Sequence, residues 1–131
     1  MPSIRVAPPS TQAFRALAAL EVYEAQVASW LEDPREGMRC GMQVHLSRLR
    51  RCCDGCGGLT VPWLALMIAH CELLHGVENP QGTRKSLAQL AATHRLCVRE
   101  LTLACRRHLL HRQRCAVRTR HEGEAAPGRS A

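Results

Sequence analysis

Aromatic residues are scarce in this chain, and long uninterrupted apolar runs are missing. The aromatic side chains of its 131 residues number four, Phe14, Tyr23, Trp30 and Trp63. The apolar content is mainly Ala and Leu with some Val and Cys, which favours helix over sheet. No alternating apolar run is bounded by hairpin turns, so a sheet is not expected. The sequence therefore predicts a single all-α domain of about four to five helices.

Signals for export and for membrane insertion are also missing. The first ten residues, MPSIRVAPPS, have no apolar core of a signal peptide. The longest apolar run, residues 61–69, is too short to span a bilayer. We therefore expect a cytoplasmic protein without a membrane partner. In that compartment, eight cysteines favour metal ligands or buried thiols over a disulfide framework.

Motifs of known catalytic chemistry are a further absence. The chain has no paired carboxylates, no phosphate-cradling glycine loop and no His-Glu-x-x-His run. His70, Glu72 and His75 are close in sequence, but their spacing does not place them together on one helical face. We therefore predict that the protein is not an enzyme.

Acidic residues are almost absent from the last third of the chain. Residues 84–121 contain ten Lys and Arg and a single acid, Glu100, for a net charge of +9. The remaining residues contain eight basic and ten acidic side chains, for a net charge of −2. Positive charge concentrated on one element indicates a polyanionic partner. Binding to a membrane surface would require an amphipathic helix with bulky apolar residues opposite the charge. The segment 101–110 has this character only weakly, so nucleic acid is the preferred partner.

Residues 84–110 have the pattern of a helix-turn-helix. A first run of apolar residues at helical spacing is separated by polar residues 93–95 from a second run, which begins near Leu96. Ser86 is suited to cap the first helix, and Gln89 stands where a capping box requires it. Two helices joined by a turn of three to four residues form a DNA-binding helix-turn-helix.

This pattern assigns DNA-contacting roles to individual residues. In a helix-turn-helix, the start of the second helix meets base edges and flanking basic residues meet phosphates. Arg99 is therefore expected at a base edge, and Arg107 at a phosphate. The alternative is two ordinary bundle helices with a basic outer face, which would suit a protein–protein adaptor or inhibitor. The predicted DNA-binding residues are Arg84, Lys85, Val98, Arg99, Thr102, Arg106 and Arg107.

A cysteine pair between the second and third helices suggests a zinc knuckle. Cys53 and Cys56 form C-x-x-C followed by glycine, and Cys71 and His75 are four residues apart, on one helical face. The resulting pattern, C-x2-C-x14-C-x3-H, falls within the spacing of structural zinc sites. We predict that these four residues bind zinc. The alternatives are ordinary buried thiols and a redox role for the C-x-x-C pair.

Helix-breaking residues divide the chain into segments. Asp33-Pro34 is expected to end the first helix, and Gly76 to end the third. The predicted organisation is a flexible lead over 1–10, a helical support with the cysteine knuckle over 11–76, the helix-turn-helix unit over 77–115 and a disordered tail over 116–131.

The order of these features resembles the Q-type antitermination proteins of lambdoid phages. The matching residues lie between 45 and 110 and are Ser47, Arg48, Cys52, Cys53, Asp54, Gly55, Ser86, Leu87, Leu90 and Ala91. Cys56 and the longer loop ahead of Ser86 depart from that pattern. The resemblance implies a DNA-bound factor that modifies RNA polymerase. Sigma-factor-like and arabinose-activator-like helix-turn-helix groups match the second half equally, so the shared expectation is a transcription regulator bound to double-stranded DNA. Homodimerisation stays open.

Overall fold

Four α-helices form the part of the chain that this computed structural model describes, which is the backbone of residues 9–125 and the side chains of residues 11–111 and 114. The described residues contain no strand, so the predicted all-α class is confirmed. The helices are α1 (Pro9–Glu32), α2 (Glu36–Asp54), α3 (Thr60–Glu78) and α4 (Leu87–Ala125), with a 3₁₀ turn at Pro80–Gly82.

The α2 helix runs antiparallel to both α1 and α3. On the α1 side, Gln26 lies against Gly41 near the start of α2, and Gln12 lies against Gly55 just after its end. On the α3 side, an ion pair joins the start of α2 to the end of α3, and a guanidinium near the end of α2 lies over an aromatic ring near the start of α3. These pairs are Arg39 with Glu78 and Arg50 with Trp63.

The α4 helix closes the bundle by packing antiparallel to α3 and α1. Leu90, near the start of α4, contacts Gly76 near the end of α3. A second contact links Tyr23 of α1 to His94 of α4. The four helices thus alternate in direction, as in an up-down-up-down bundle. Each helix buries one stripe of side chains, the largest of which are Tyr23, Met42, Leu46, Leu49, Leu66, Leu73 and Leu101.

The turn predicted at residues 93–95 is absent, and the prediction of two helices there is wrong. The single helix α4 runs from Leu87 to Ala125. Its buried residues are four, four, three and four positions apart, which is an unbroken helical stripe of Leu90, His94, Val98, Leu101 and Cys105. Residues 93–95 contain neither Gly nor Pro, so nothing in the backbone interrupts the helix.

The start of α4 confirms the predicted capping box. The Gln89 amide N–H donates to Ser86 Oγ at 3.2 Å, and the Ser86 amide N–H donates to Gln89 Oε1 at 2.9 Å. These reciprocal bonds satisfy two amide groups at the helix N-terminus. The local sequence thus predicted where the helix begins, although it predicted an incorrect break within it.

The helix ends correct two further predictions. Gly76 does not end α3, which continues to Glu78. A Cβ atom at Gly76 would lie 2.3 Å from Leu90 Cδ1, so the glycine permits close approach of α3 and α4. The tail predicted as disordered is helical over residues 116–125, whereas residues 1–8 and 126–131 lie outside the described residues.

The α3 helix is apolar on two faces. With 19 residues and a mean hydropathy of 1.3 over its best window, it is long and apolar enough to cross a membrane by composition alone. One face supplies Trp63, Leu66 and Leu73 to the core. The other face exposes Val61, Leu64 and Ile68, and 33% of the apolar window is buried in the bundle.

Candidate functional site

The residues predicted to bind DNA do not share one surface. Arg84 and Lys85 are exposed just before α4, and Arg99, Arg106 and Arg107 are exposed along it. Val98 is 3% exposed and packs in the core, so its assignment to a DNA-contacting face is wrong. Thr102 is half-buried, and its hydroxyl donates to the Val98 carbonyl oxygen at 2.9 Å. The expected row of base-reading residues is therefore not formed.

A different basic row is present on one flank of α4. Arg95, Arg99 and Arg106 are exposed and separated by four and seven residues, which places them on the same side of the helix. Arg95 was assigned to the turn in the sequence interpretation. The positive charge of residues 84–121 was the signal that could have identified this row.

The C-terminal part of α4 extends beyond the helices that pack against it. The helix has 39 residues, against 24 in α1 and 19 in α3. Given the antiparallel Tyr23–His94 and Gly76–Leu90 contacts, α1 and α3 begin level with about residues 106–108 of α4. The segment past that level carries Arg112, Arg114, Arg118 and Arg120 and no acidic residue before Glu122.

A groove of about 570 Å³ separates α1 from α4. Its apolar lining includes Leu17, Leu20, Ala25 and Ala28, and its charged lining consists of Glu21 and Glu24 from α1 and Arg106 from α4. None of these three charged side chains forms an ion pair with another described residue. The groove therefore has an acidic wall, a basic wall and an apolar floor.

The four residues predicted to bind zinc are not brought together. Cys53 and Cys56 are buried where α2 ends, whereas Cys71 and His75 are exposed on α3. Cys71 is eleven residues beyond Thr60, the start of α3, and so lies about 16 Å further along that helix. A shared zinc ion requires each sulfur within about 2.3 Å of the metal. Over the described part of the chain, no three His, Cys, Asp or Glu side chains form a group that could hold a metal ion.

Cys105 of α4 lies near Cys53 and Cys56. Cys53, Cys56 and Cys105 are each no more than 1% exposed. Burial, reinforced by the neighbouring thiols, raises the pKa of Cys53 to about 12 and that of Cys105 to about 11. Cys53 and Cys105 are therefore uncharged at neutral pH, and all three buried cysteines lie in the core as small side chains.

Chelation should leave the stability of the protein unchanged, because the predicted zinc ligands lie apart. In a matched pair of variants, Cys53→Ser should lower the free energy of unfolding by about 1–3 kcal/mol, since it places a hydroxyl in an apolar core. Cys71→Ser, at an exposed position, should change it by less than about 0.5 kcal/mol. Urea unfolding with and without EDTA measures both effects. The prediction of a zinc site would instead be supported if mass spectrometry found one zinc ion per wild-type chain and if Cys53→Ser and Cys71→Ser both lost it.

A buried polar network links three helices. The Tyr23 hydroxyl lies 2.6 Å from His70 Nδ1 of α3 and 2.8 Å from His94 Nε2 of α4, and all three side chains are buried. The hydroxyl has one proton, so it donates to one imidazole nitrogen and accepts an N–H from the other. The sequence interpretation missed this network because its members are 47 and 71 residues apart.

Desolvation keeps this network uncharged. Burial, with smaller contributions from the nearby His70 and Arg95, lowers the pKa of His94 to about 4. Burial also lowers the pKa of His70, with a contribution from Arg39, and raises that of Tyr23. The three groups are neutral, buried and hydrogen-bonded through the Tyr23 hydroxyl. The network therefore joins α1, α3 and α4.

Comparison of the chain with protein-family models, curated proteins and solved structures gives no match. The molecule is thus defined by its own features. Its described residues form four α-helices, with a long basic helix last, a mixed-charge groove beside that helix and a buried Tyr–His–His network.

Proposed function

We propose that this protein is a transcription regulator that binds double-stranded DNA through α4. The observation that supports this most directly is the extension of a highly basic helix beyond the bundle. A single helix fits the major groove of DNA, and basic regions enter that groove as continuous helices without a helix-turn-helix. The absence of a turn at residues 93–95 therefore removes the predicted motif but not the proposed partner.

The region of α4 that contacts DNA differs from the sequence prediction. Arg99 lies level with the middle of α1, so it is part of the bundle and not the first turn of a recognition helix. Arg106 and Arg107 lie where the helix leaves the level of α1 and α3. We assign the DNA contacts to Arg107 and the basic segment that follows it. Action on RNA polymerase in the cytoplasm, as an antitermination-type factor, is the finer form of the same proposal.

Neutralising two arginines in the extended segment should weaken binding to all duplex sequences. The salt dependence is the slope of the logarithm of the DNA association constant against the logarithm of salt concentration. In the double variant Arg114→Gln with Arg118→Gln, the magnitude of this slope should decrease by about two units. Glutamine retains helix propensity, so the helix itself should persist. Arg48→Gln with Arg51→Gln, both exposed on α2, removes the same charge from the bundle and should leave the slope unchanged. Fluorescence anisotropy with a random duplex measures both.

Equal losses from the two pairs would show that the protein attracts DNA only through its net charge. Absence of duplex binding at low salt would overturn the proposal and favour the second candidate, a protein–protein adaptor or inhibitor. The specific observation for that candidate is a row of exposed leucines on α4 at intervals of seven residues, Leu96, Leu103 and Leu110. An exposed apolar row on a helix can enter a groove on another protein.

A further inference from the structure

The outer face formed by α1 and α4 has a charge pattern that complements itself. Glu21 and Glu24 line the α1 side of the groove, and Arg106, the last member of the exposed basic row of Arg95, Arg99 and Arg106, lines the α4 side. Exposed apolar side chains accompany both rows, including Phe14 on α1 and Leu103 on α4, which are 68% and 39% exposed. An apolar surface flanked by unpaired opposite charges is suited to a partner with the reverse arrangement.

The two charged rows lie at matching heights along the bundle. The helices are antiparallel, and Tyr23 lies opposite His94. Glu21 and Glu24 therefore lie within about one helical turn of the levels of Arg99 and Arg95. A second copy of this chain offers the reverse arrangement when α1 of one copy stacks on α4 of the other.

From this pattern we infer that two copies associate through their α1–α4 faces, around a two-fold axis parallel to the helices. A symmetric dimer uses the same surface on both partners, so each acidic row must meet a basic row. With the axis parallel to the helices, α1 of each copy packs on α4 of the other, so both acidic rows meet basic rows. An axis perpendicular to the helices would stack α1 on α1 and α4 on α4, which would oppose like charges.

The size of this face is adequate for a dimer. Two adjacent helices about 10 Å wide and about 36 Å long present roughly 700 Å² per partner. A stable interface buries about 800 Å² per partner. The exposed apolar residues would provide the central contact and the Glu–Arg pairs its orientation.

This symmetry has a consequence for the proposed DNA binding, although the dimer itself does not depend on that proposal. With the two-fold axis parallel to the helices, both copies of α4 point in the same direction. The two basic segments then emerge side by side at one end, with axes about 14 Å apart if neighbouring helices are about 10 Å apart. Two such helices can address two half-sites of a duplex.

Charge exchange provides a specific test of the dimer without nucleic acid. The wild-type protein should have the mass of a dimer at micromolar concentration in sedimentation equilibrium. Glu21→Arg with Glu24→Arg makes both rows basic. Arg95→Glu with Arg99→Glu leaves Arg106 in place but gives the α4 row a net negative charge, so each variant alone should be monomeric. An equimolar mixture should form a heterodimer, because each basic row then meets an acidic row. Circular dichroism establishes that both variants are folded.

Matched controls change the same charges elsewhere. Glu36→Arg with Glu72→Arg, and Arg48→Glu with Arg51→Glu, alter exposed residues of α2 and α3 away from the charged rows and should remain dimeric. A monomeric wild-type protein at high micromolar concentration would overturn the inference. So would charge-exchange variants that remain dimeric alone while the controls dissociate.

The direction of the two α4 helices is measured separately. A spin label on a ketone amino acid introduced at the exposed Arg114 avoids the eight cysteines. Electron–electron resonance should give a separation below about 30 Å for parallel α4 helices, including the label arms. Opposed α4 helices would place the labels about 45 Å apart and would overturn the proposed axis. A dimer that passes both tests but binds no duplex would contradict the proposed function alone.

Discussion

Lowering the pH from 7 to 4 should remove about 3 kcal/mol from the free energy of unfolding through His94 alone. In the folded protein, burial lowers the pKa of His94 to about 4, whereas an unfolded chain has a histidine pKa of 6.5. Above pH 6.5 both states hold the neutral ring, and the stability is fully present. Below pH 6.5 the unfolded state gains a proton that the folded state does not accept, so stability falls until the folded pKa is reached. His70, whose pKa is also lowered, acts in the same direction.

The measurement is urea unfolding at intervals between pH 7.5 and 4. Carboxylates titrate in the same pH range and change the stability of every variant alike. The difference in free energy of unfolding between wild type and a His94 variant therefore reports on His94. His94→Gln retains a side chain that can hydrogen-bond to Tyr23 but does not titrate, so its stability should depend less steeply on pH. His75→Asn, at an exposed histidine of α3, is the matched control and should keep the wild-type pH profile. Identical profiles for His94→Gln and wild type would contradict the buried network.

Replacing Tyr23 by phenylalanine should lower the free energy of unfolding by about 3 kcal/mol at pH 7.5. The ring would still fill the core, but His70 Nδ1 and His94 Nε2 would lose the hydroxyl that lies 2.6 and 2.8 Å away. Each buried polar group left without a partner costs about 1–3 kcal/mol. The loss should therefore come from the histidines, which remain in place.

A double-mutant cycle separates this loss from a general packing defect. His94→Leu removes one of the two stranded nitrogens, so Tyr23→Phe should cost less in that background than in the wild type. The coupling energy should be at least about 1 kcal/mol, which is the range of residues in direct contact. Additive losses would mean that the two side chains act independently, and a neutral Tyr23→Phe would show that the hydroxyl does not support the core.

The network also bears on how α4 is held. Its members come from α1, α3 and α4, so the three hydrogen-bonding groups fix the position of α4 against two other helices at the level of His94. The same stretch of α4 carries the basic row that faces the groove. A buried, satisfied polar network can specify a unique packing arrangement in this way. The basic C-terminal part of α4, which extends past α1 and α3, then continues from a stretch of helix whose position the network fixes.

Local sequence patterns were sufficient for the fold class, for the end of α1 and for the start of α4. Ala- and Leu-rich periodicity predicted helices, Asp33-Pro34 marked the end of α1, and Ser86 with Gln89 marked the start of α4. These features depend on neighbours within a few residues, which is why they can be read without the fold. The segregation of positive charge into residues 84–121 is likewise a property of the sequence alone.

The tertiary structure decided what the polar and sulfur-containing side chains do. The polar residues 93–95 suggested a turn, but His94 is buried within the apolar stripe of α4, where its partner Tyr23 is 71 residues away in the sequence. Cys53 and Cys56 fitted zinc spacing with Cys71, but α3 carries Cys71 away along its axis and α4 brings Cys105 near instead. Sequence spacing predicts proximity within one helix, whereas the packing of helices against each other determines which distant side chains meet. That packing makes α4 continuous, buries Val98 and leaves Glu21 and Arg99 exposed.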